Sequence, residues 1–269
     1  MKNWGEGYAR KGRSMDGSAP VFRNHLLRLL DPADTAALRP LLHPFRMELH
    51  DVFETPDAPI TRVCFPESGI VSVVAASDTE HRIEAGLIGY EGMTGTAVVM
   101  GDDRSPHECY VQVAGDGHWI SAGDLRRLLE THEAIQRTLL LYVQTFAIQT
   151  AQTAVANGRA RLDTRLARWL AMAQDRLHSP ELPLTHEFLS LMLGVRRAGV
   201  TDALHQLEGD GVVRSRRGVV LVRDRGRLEA LASTSYGVPE AAYRRMLGDP
   251  AGEGLGPEKR SAGETARRA

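Results

Sequence analysis

From Phe45 to Ile120 the apolar residues come in short or alternating runs, "FRMELHDVFE", "TRVCF", "GIVSVVAA", "HRIEAGLI" and "ECYVQVAG", punctuated by Gly, Pro and Asp. Alternation puts successive side chains on opposite faces of a strand. Short strands with frequent turns predict a small all-β sandwich or barrel. Ahead of it, "LLDPADTAALRPLL" predicts a short helix with Asp31-Pro32 at its start.

At Asp124 the period becomes helical and continues without Gly or Pro until Gly158, which predicts one long helix. Ile135, Leu139, Tyr142, Phe146, Gln149, Thr153 and Ala156 follow steps of four and three, the spacing of a heptad seam. A second stripe, Leu140, Val143, Ala147, Thr150 and Ala154, runs beside it. A helix apolar on two faces needs two partners, its own β domain and a second subunit. The first seam, Ile135 to Thr153, is the expected parallel dimer interface; the alternative is a helix buried within one chain. Asn157-Gly158 then interrupts the pattern, and "LDTRLARWLAMAQDRL" predicts a new helix with Asp163 as its N-cap, the break serving as a hinge.

The next segment, "LPLTHEFLSLMLGVRRAGVTDALHQLEGDGVVRSRRGVVLV", divides into four pieces. Thr185 precedes a short helix whose Phe188, Leu189, Met192 and Leu193 share one face, and Gly194 permits a backbone turn. A second helix follows with Val200, Ala203, Leu204 and Leu207 as its buried stripe. Two β runs around Arg217-Gly218 close the unit. This is the order of a helix-turn-helix with a β wing.

Charge locates the partner. Residues 21–158 hold 10 Lys/Arg against 18 Asp/Glu, whereas residues 159–227 hold 13 against 8. Only the second part is built to meet a polyanion. The second helix of such a unit enters the DNA major groove by its N-terminal end, where an arginine fork matches guanine O6 and N7. Arg197 is therefore the candidate base reader, with Thr201 and Asp202 one turn along. Thr185, Arg196, Arg214, Arg216 and Arg217 are candidates for phosphate. The competing reading makes these solvated surface charges, with Arg197 paired to Asp202.

Composition excludes several classes. No apolar run approaches the roughly 18 residues a membrane helix needs, and the first residues lack the apolar core of a signal peptide, so a cytoplasmic protein is expected. Cys64 and Cys109 are too few for a four-thiolate iron–sulfur cluster and too far apart in sequence for a zinc pair; buried thiols are expected, with a redox pair as the alternative. No metal ligand is assigned. No glycine-rich nucleotide loop and no nucleophile–base pair is readable, so no enzyme is expected. Residues 1–20 and 248–269 are too polar to order themselves and are expected as tails.

An acidic β domain, a dimer-type helix and a winged helix-turn-helix, together with "LARWLAMAQDRL" and "LPLTHEFLSLMLGVRRAGVTDAL", resemble the Crp/Fnr family of bacterial transcription regulators over residues 21–223. The resemblance implies an α+β chain: a double-stranded β-helix (jelly-roll, cyclic-nucleotide-binding-like) domain over 21–123, a dimerisation helix over 124–158, the winged unit over 159–223 and a C-terminal helix over 224–247. It implies a homodimer on a near-palindromic site in double-stranded DNA, with RNA polymerase as a further partner if it activates. It also implies phosphate contact at Thr185 and guanine reading at Arg197. The family pattern often continues Ser-Arg-Glu-Thr where this chain has Arg196, Arg197, Ala198 and Gly199, so a different DNA word is expected. A cyclic-nucleotide-type module acting through protein partners is the alternative.

Members that bind cyclic AMP use a Gly-Glu-Leu turn and an Arg-Ser-Ala segment. Here "GYEGMTGTAVVMGDDRSPHECYVQV" puts Thr96 near the Glu position and His107 near the Arg position, with Arg104-Ser105 out of register. Gly92, Gly95, Thr96 and His107 are the candidate effector pocket. A cyclic nucleotide is not the expected ligand; another small effector, or none, is.

Overall fold

A computed structural model describes residues 22–76 and 82–251. The tail expected at 1–20, and residues 252–269 of the one expected at 248–269, lie outside the described residues. Two short helices open the described residues, α1 (His25–Arg28) and α2 (Pro32–Leu38), started by Asn24 and Asp31, whose side chains accept the amides of Leu27 and Asp34. A 3-10 turn over Arg39–Leu41 leads to the strands.

Seven antiparallel strands follow: β1 (His43–Met47), β2 (Val52–Glu54), β3 (Arg62–Pro66), β4 (Ile70–Ala76), β5 (Arg82–Ile88), β6 (Glu108–Val113) and β7 (Gly115–Ser121), with α3 (Thr96–Val99) between β5 and β6. They form two sheets, β1-β7-β3 and β2-β6-β4-β5. Met47, Cys64, Val71, Val73, Ile88, Cys109 and Val111 pack together as one of the protein's cores, the arrangement the alternating runs predict. Both thiols are free and buried, and burial pushes their pKa values well up.

The expected single helix over 124–158 is two. Ser121 caps α4 (Ala122–Thr131), accepting the Asp124 amide at 2.9 Å; His132, at φ −124° and ψ 81°, breaks the run, and α5 (Glu133–Arg159) begins. No Gly or Pro marks this break. α4 buries Leu125, Leu128 and Leu129 on its own side, and the chain must turn for α5 to use a different face. The hinge expectation moves as well. Gly158 lies inside α5, the corner is at Ala160-Arg161, and Arg161 rather than Asp163 occupies the N-cap of α6 (Leu162–Leu177).

The expected dimer seam also changes role. Ile135, Leu139 and Tyr142 are buried in a core shared with α1, α3, α4 and the C-terminal helix. Gln149 accepts the Leu87 amide at 2.7 Å and donates to the Leu87 carbonyl at 3.2 Å. Phe146 lies over Gly86, where a Cβ would come within 2.8 Å of the ring, and Thr153 accepts from Arg168 at 3.1 Å. This face covers its own chain. The second stripe is the more outward one: Leu140 is 42% exposed, and Ala147 and Ala154 are exposed as well.

The C-terminal half adds β8 (Glu181–Leu182), α7 (His186–Leu193), α8 (Arg197–Gly209), β9 (Val213–Arg216) and β10 (Val219–Val222), then α9 (Arg225–Ala232) and α10 (Val238–Leu247). The helix expected over 224–247 is thus a pair, separated by Ser233 at φ 52° and Gly237 at φ 105°. α9 packs on α6, and α10 returns to α5. Leu166, Trp169 and Leu170 of α6 join Ile70, Val74 and Leu87 of the β domain in one apolar cluster with the helix-turn-helix. At its centre Trp169 donates to the buried Glu84 carboxyl at 2.6 Å.

Candidate nucleic-acid interface

Thr185 caps α7 by accepting the Phe188 amide at 3.1 Å. Val200, Ala203, Leu204 and Leu207 of α8 are all buried, and Leu189, Met192 and Leu193 of α7 meet them in the same cluster, so the sequence stripes define the packing of the two helices. Gly194 takes the left-handed conformation (φ 61°) that ends α7, its amide reaching the Leu191 carbonyl and the Val195 amide reaching Ser190. The wing follows: β9 and β10 pair from Val213↔Val222 to Arg216↔Val219, leaving Arg217-Gly218 as the turn, with Gly218 at φ 74°. β8 completes this sheet beside β10.

This frame presents its cations outward. Arg196 is extended and stands at the N-cap of α8, and Arg197 is its first residue; no side chain caps this helix end. The positive end of the helix dipole and its first amides therefore face the same side as two guanidiniums. Arg196, Arg197, Asp202, Arg214, Arg216 and Arg217 are all exposed and make no ion pair among the described residues, so the competing pair of Arg197 with Asp202 is not formed. Thr201 departs from expectation. Its hydroxyl lies 3.0 Å from His186 Nδ1 and donates to the Arg197 carbonyl at 3.2 Å, so the group expected to reach bases is used inside the unit.

His186 is the residue that sequence reasoning misses. Nδ1 meets Thr201 of α8 and Nε2 lies 3.2 Å from Ser215 of β9, so one imidazole ties both helices to the wing. Glu208 reinforces it, accepting the Ser215 amide at 2.6 Å. Neither contact leaves a periodic signal, since each joins residues at unrelated positions. Thr185 and Arg196 also border a groove whose far wall is Leu49, His50 and Tyr110 of the β domain, so part of the interface lies beside that domain.

Of the candidate effector residues, Gly92 and Gly95 make contacts within the chain. Gly92 is pressed against Tyr142, where a Cβ would lie 2.3 Å from the hydroxyl, and its carbonyl accepts from Asn24. Gly95, at φ 70°, starts α3 and donates its amide to the buried Glu54 carboxylate at 2.7 Å; Thr96 follows it. Burial raises the Glu54 pKa, partly opposed by that bond. His107 is held through its amide by Ser105, and Arg104 donates to the Asp57 carbonyl on the outside.

Residues 164–231 match the family described as the Crp-like helix-turn-helix domain. No curated protein matches the chain in sequence. Among solved structures, the c-di-GMP responsive global regulator CLP of Xanthomonas campestris aligns with a TM-score of 0.60 at 18% identity, covering 71% of this chain and 99% of that one. FixK2 of Bradyrhizobium japonicum gives 0.60 at 17% identity over 72% and 98%, and a Crp/Fnr-family transcriptional regulator of Thermus thermophilus gives 0.58 at 19% over 72% and 100%. Identities this low carry the fold. A module acting only through protein partners is not favoured beside a Crp-like domain with this exposed arginine face. Residues 164–231 thus match a Crp-like helix-turn-helix domain, and the chain as a whole shares the fold of the Crp/Fnr-family regulators it aligns with.

Proposed function

We propose that two copies of the chain bind a near-palindromic site on double-stranded DNA, Arg197 of each reading a guanine edge in the major groove. The observation that carries this reading is the pair of unpaired arginines at the uncapped start of α8. Arg196, Arg214, Arg216 and Arg217 then neutralise phosphates on either side, and Asp202 faces the bases as an acceptor. Thr185 contributes a hydroxyl to phosphate once the groove beside the β domain opens.

Pairing runs through the outward face of α5. Leu141, Gln144, Ile148, Ala151 and Val155 follow steps of three and four, with Leu140 and Ala147 alongside. This stripe has the register of a two-stranded coil, and its exposed Leu140 and Val155 gain by burial. Half-sites one duplex turn apart, about 34 Å, are the expected spacing for the two α8 helices of such a dimer. Such a protein works in the bacterial cytoplasm beside the chromosome, and RNA polymerase is its further partner wherever it activates.

A cyclic nucleotide fits the β domain poorly. A phosphodiester at the start of α3 would meet Glu54, already seated on the Gly95 amide. The experiment is sedimentation together with DNA titration. Ile148→Glu is expected to give monomers and lose high-affinity binding; an unchanged mass overturns the pairing.

A further inference from the structure

Beneath the C-terminal helices lies a cavity of about 700 Å³, separate from the interior of the β domain. Its walls come from the turn after β5 (Glu91), α5 (Tyr142), the end of α6 (Arg176) and the segment from α9 to α10 (Tyr236, Tyr243). This volume is in the range of small-molecule sites. The families of contacts described for DNA and for pairing do not use it.

Buried polar atoms without a hydrogen-bonding partner are rare because each costs about 1–3 kcal/mol. Among the described residues there are four on side chains, and three belong to residues that line this cavity: Glu91 Oε2, Arg176 Nε and the Tyr142 hydroxyl, which is pressed against Gly92 beside the Met93 backbone. The remaining atoms of the charged pair are fixed. Arg176 donates to the carbonyls of Met172 at 2.8 Å and Leu87 at 3.1 Å and meets Glu91 Oε1 at 2.8 Å, while that oxygen also accepts the Gly89 amide at 3.3 Å. With these contacts fixed, Glu91 Oε2 and Arg176 Nε are left without a partner within the chain.

The lining decides the charge of that party. Five carboxylates stand against three guanidiniums, and two of those guanidiniums are engaged, Arg176 with Glu91 and Arg225 with Asp175 and Glu229. Four tyrosines, Tyr90, Tyr142, Tyr236 and Tyr243, supply ring faces and oxygens. An acidic excess with aromatic walls favours a cation and repels phosphates and carboxylates.

We propose that this cavity binds a small organic cation, an amine or amidine on a flat apolar body, whose N–H groups donate to Glu91 and Tyr142 while its body lies among the tyrosines. Its walls join the β domain and α5 to α6 and α9, which carry the helix-turn-helix. Occupancy therefore biases the orientation of the DNA-binding unit by the difference in affinity between its arrangements. The binding step does not depend on the dimer or base-reading assignments and is measured without DNA.

The test titrates the full chain by calorimetry with three molecules of one shape: benzamidine, benzamide and benzoate. Benzamidine is expected to bind about tenfold or more tightly than benzamide, with no saturable binding of benzoate. Glu91→Gln is expected to weaken benzamidine by about tenfold, and Tyr142→Phe, which removes only a hydroxyl without a full partner and leaves the fold intact, by a few-fold. Equal affinities for the three, tighter binding of benzoate, no binding of any of them, or benzamidine binding unchanged in Tyr142→Phe together with a folded Glu91→Gln overturns the proposal.

Discussion

Residues 159–227 contain thirteen arginines, and nine of them fall into two groups that do opposite things. Arg165, Arg168, Arg176 and Arg225 turn inward as connectors between distant elements. Arg165 reaches Asn157 at 3.0 Å, Arg168 the Ser235 carbonyl at 2.8 Å, Arg176 the Glu91 carboxylate, and Arg225 both Asp175 at 2.7 Å and the Ala171 carbonyl at 2.8 Å. Arg196, Arg197, Arg214, Arg216 and Arg217 have no such partners and surround α8 and the wing. The positive balance that points to a polyanion is thus a sum over two populations, and only the outward one is available to DNA. A guanidinium used inside holds the chain together. One left outside can be exchanged for another without harming the fold.

The largest expected effect breaks the inner group. Arg176→Ala leaves a buried Glu91 without its counter-charge and should cost about 3–5 kcal/mol of stability, read from urea unfolding. The same measurement on the outer arginines should stay within about 0.5 kcal/mol of wild type. If both groups respond alike, the division is wrong.

Next comes Arg197→Ala, expected to cost about 1–3 kcal/mol at a specific site while leaving binding to random DNA nearly unchanged, by fluorescence anisotropy. Smaller is a pH effect at the junction between the halves. Burial raises the Glu84 pKa from 4.5 to about 8, against the bonds from Ser72 and Trp169 and the charges of Arg176 and Arg168. The folded state therefore holds a proton that the unfolded chain has released. Stability from this group is complete below about pH 4.5 and is lost as pH rises toward about 8, with a slope of at most one proton. Glu84→Gln should remove that loss between about pH 4.5 and 8 in thermal melts; an identical pH profile for the variant would refute the assignment. Smallest is Arg216→Ala, which should weaken all DNA alike and reduce the salt slope by about one.

The two halves were not equally legible in the sequence. The winged unit is built from neighbours in the chain: apolar stripes on two short helices, a left-handed Gly194 between them and Gly218 in a two-residue turn all leave local marks, and the structure repeats them. The long helices are different. Periodicity tells which face of α5 is apolar and not what covers it, so the seam from Ile135 to Thr153 reads as an interface between chains when it is one within a chain. Gln149 holds the clue, since a polar residue in an apolar seam asks for a buried partner, and here both groups of the Leu87 backbone supply it. The break at His132 has no local cause in composition. Thr201 and His186 show the same limit, because a hydroxyl on the outward side of a helix can still be claimed by the neighbouring one. Gly92 shows a further limit: a glycine that lets two elements approach, as it does with Tyr142, looks in sequence like one that cradles a ligand.

The most direct test of the outward arginines as the DNA-reading group is selection of duplexes from a random pool by wild-type protein and by Arg197→Ala, followed by sequencing. The predicted wild-type result is a two-fold-symmetric motif with half-site centres about one helical turn apart, containing a guanine position in each half that Arg197→Ala no longer prefers while the rest of the motif persists. An identical motif from both proteins, or no motif from the wild type, would contradict the account.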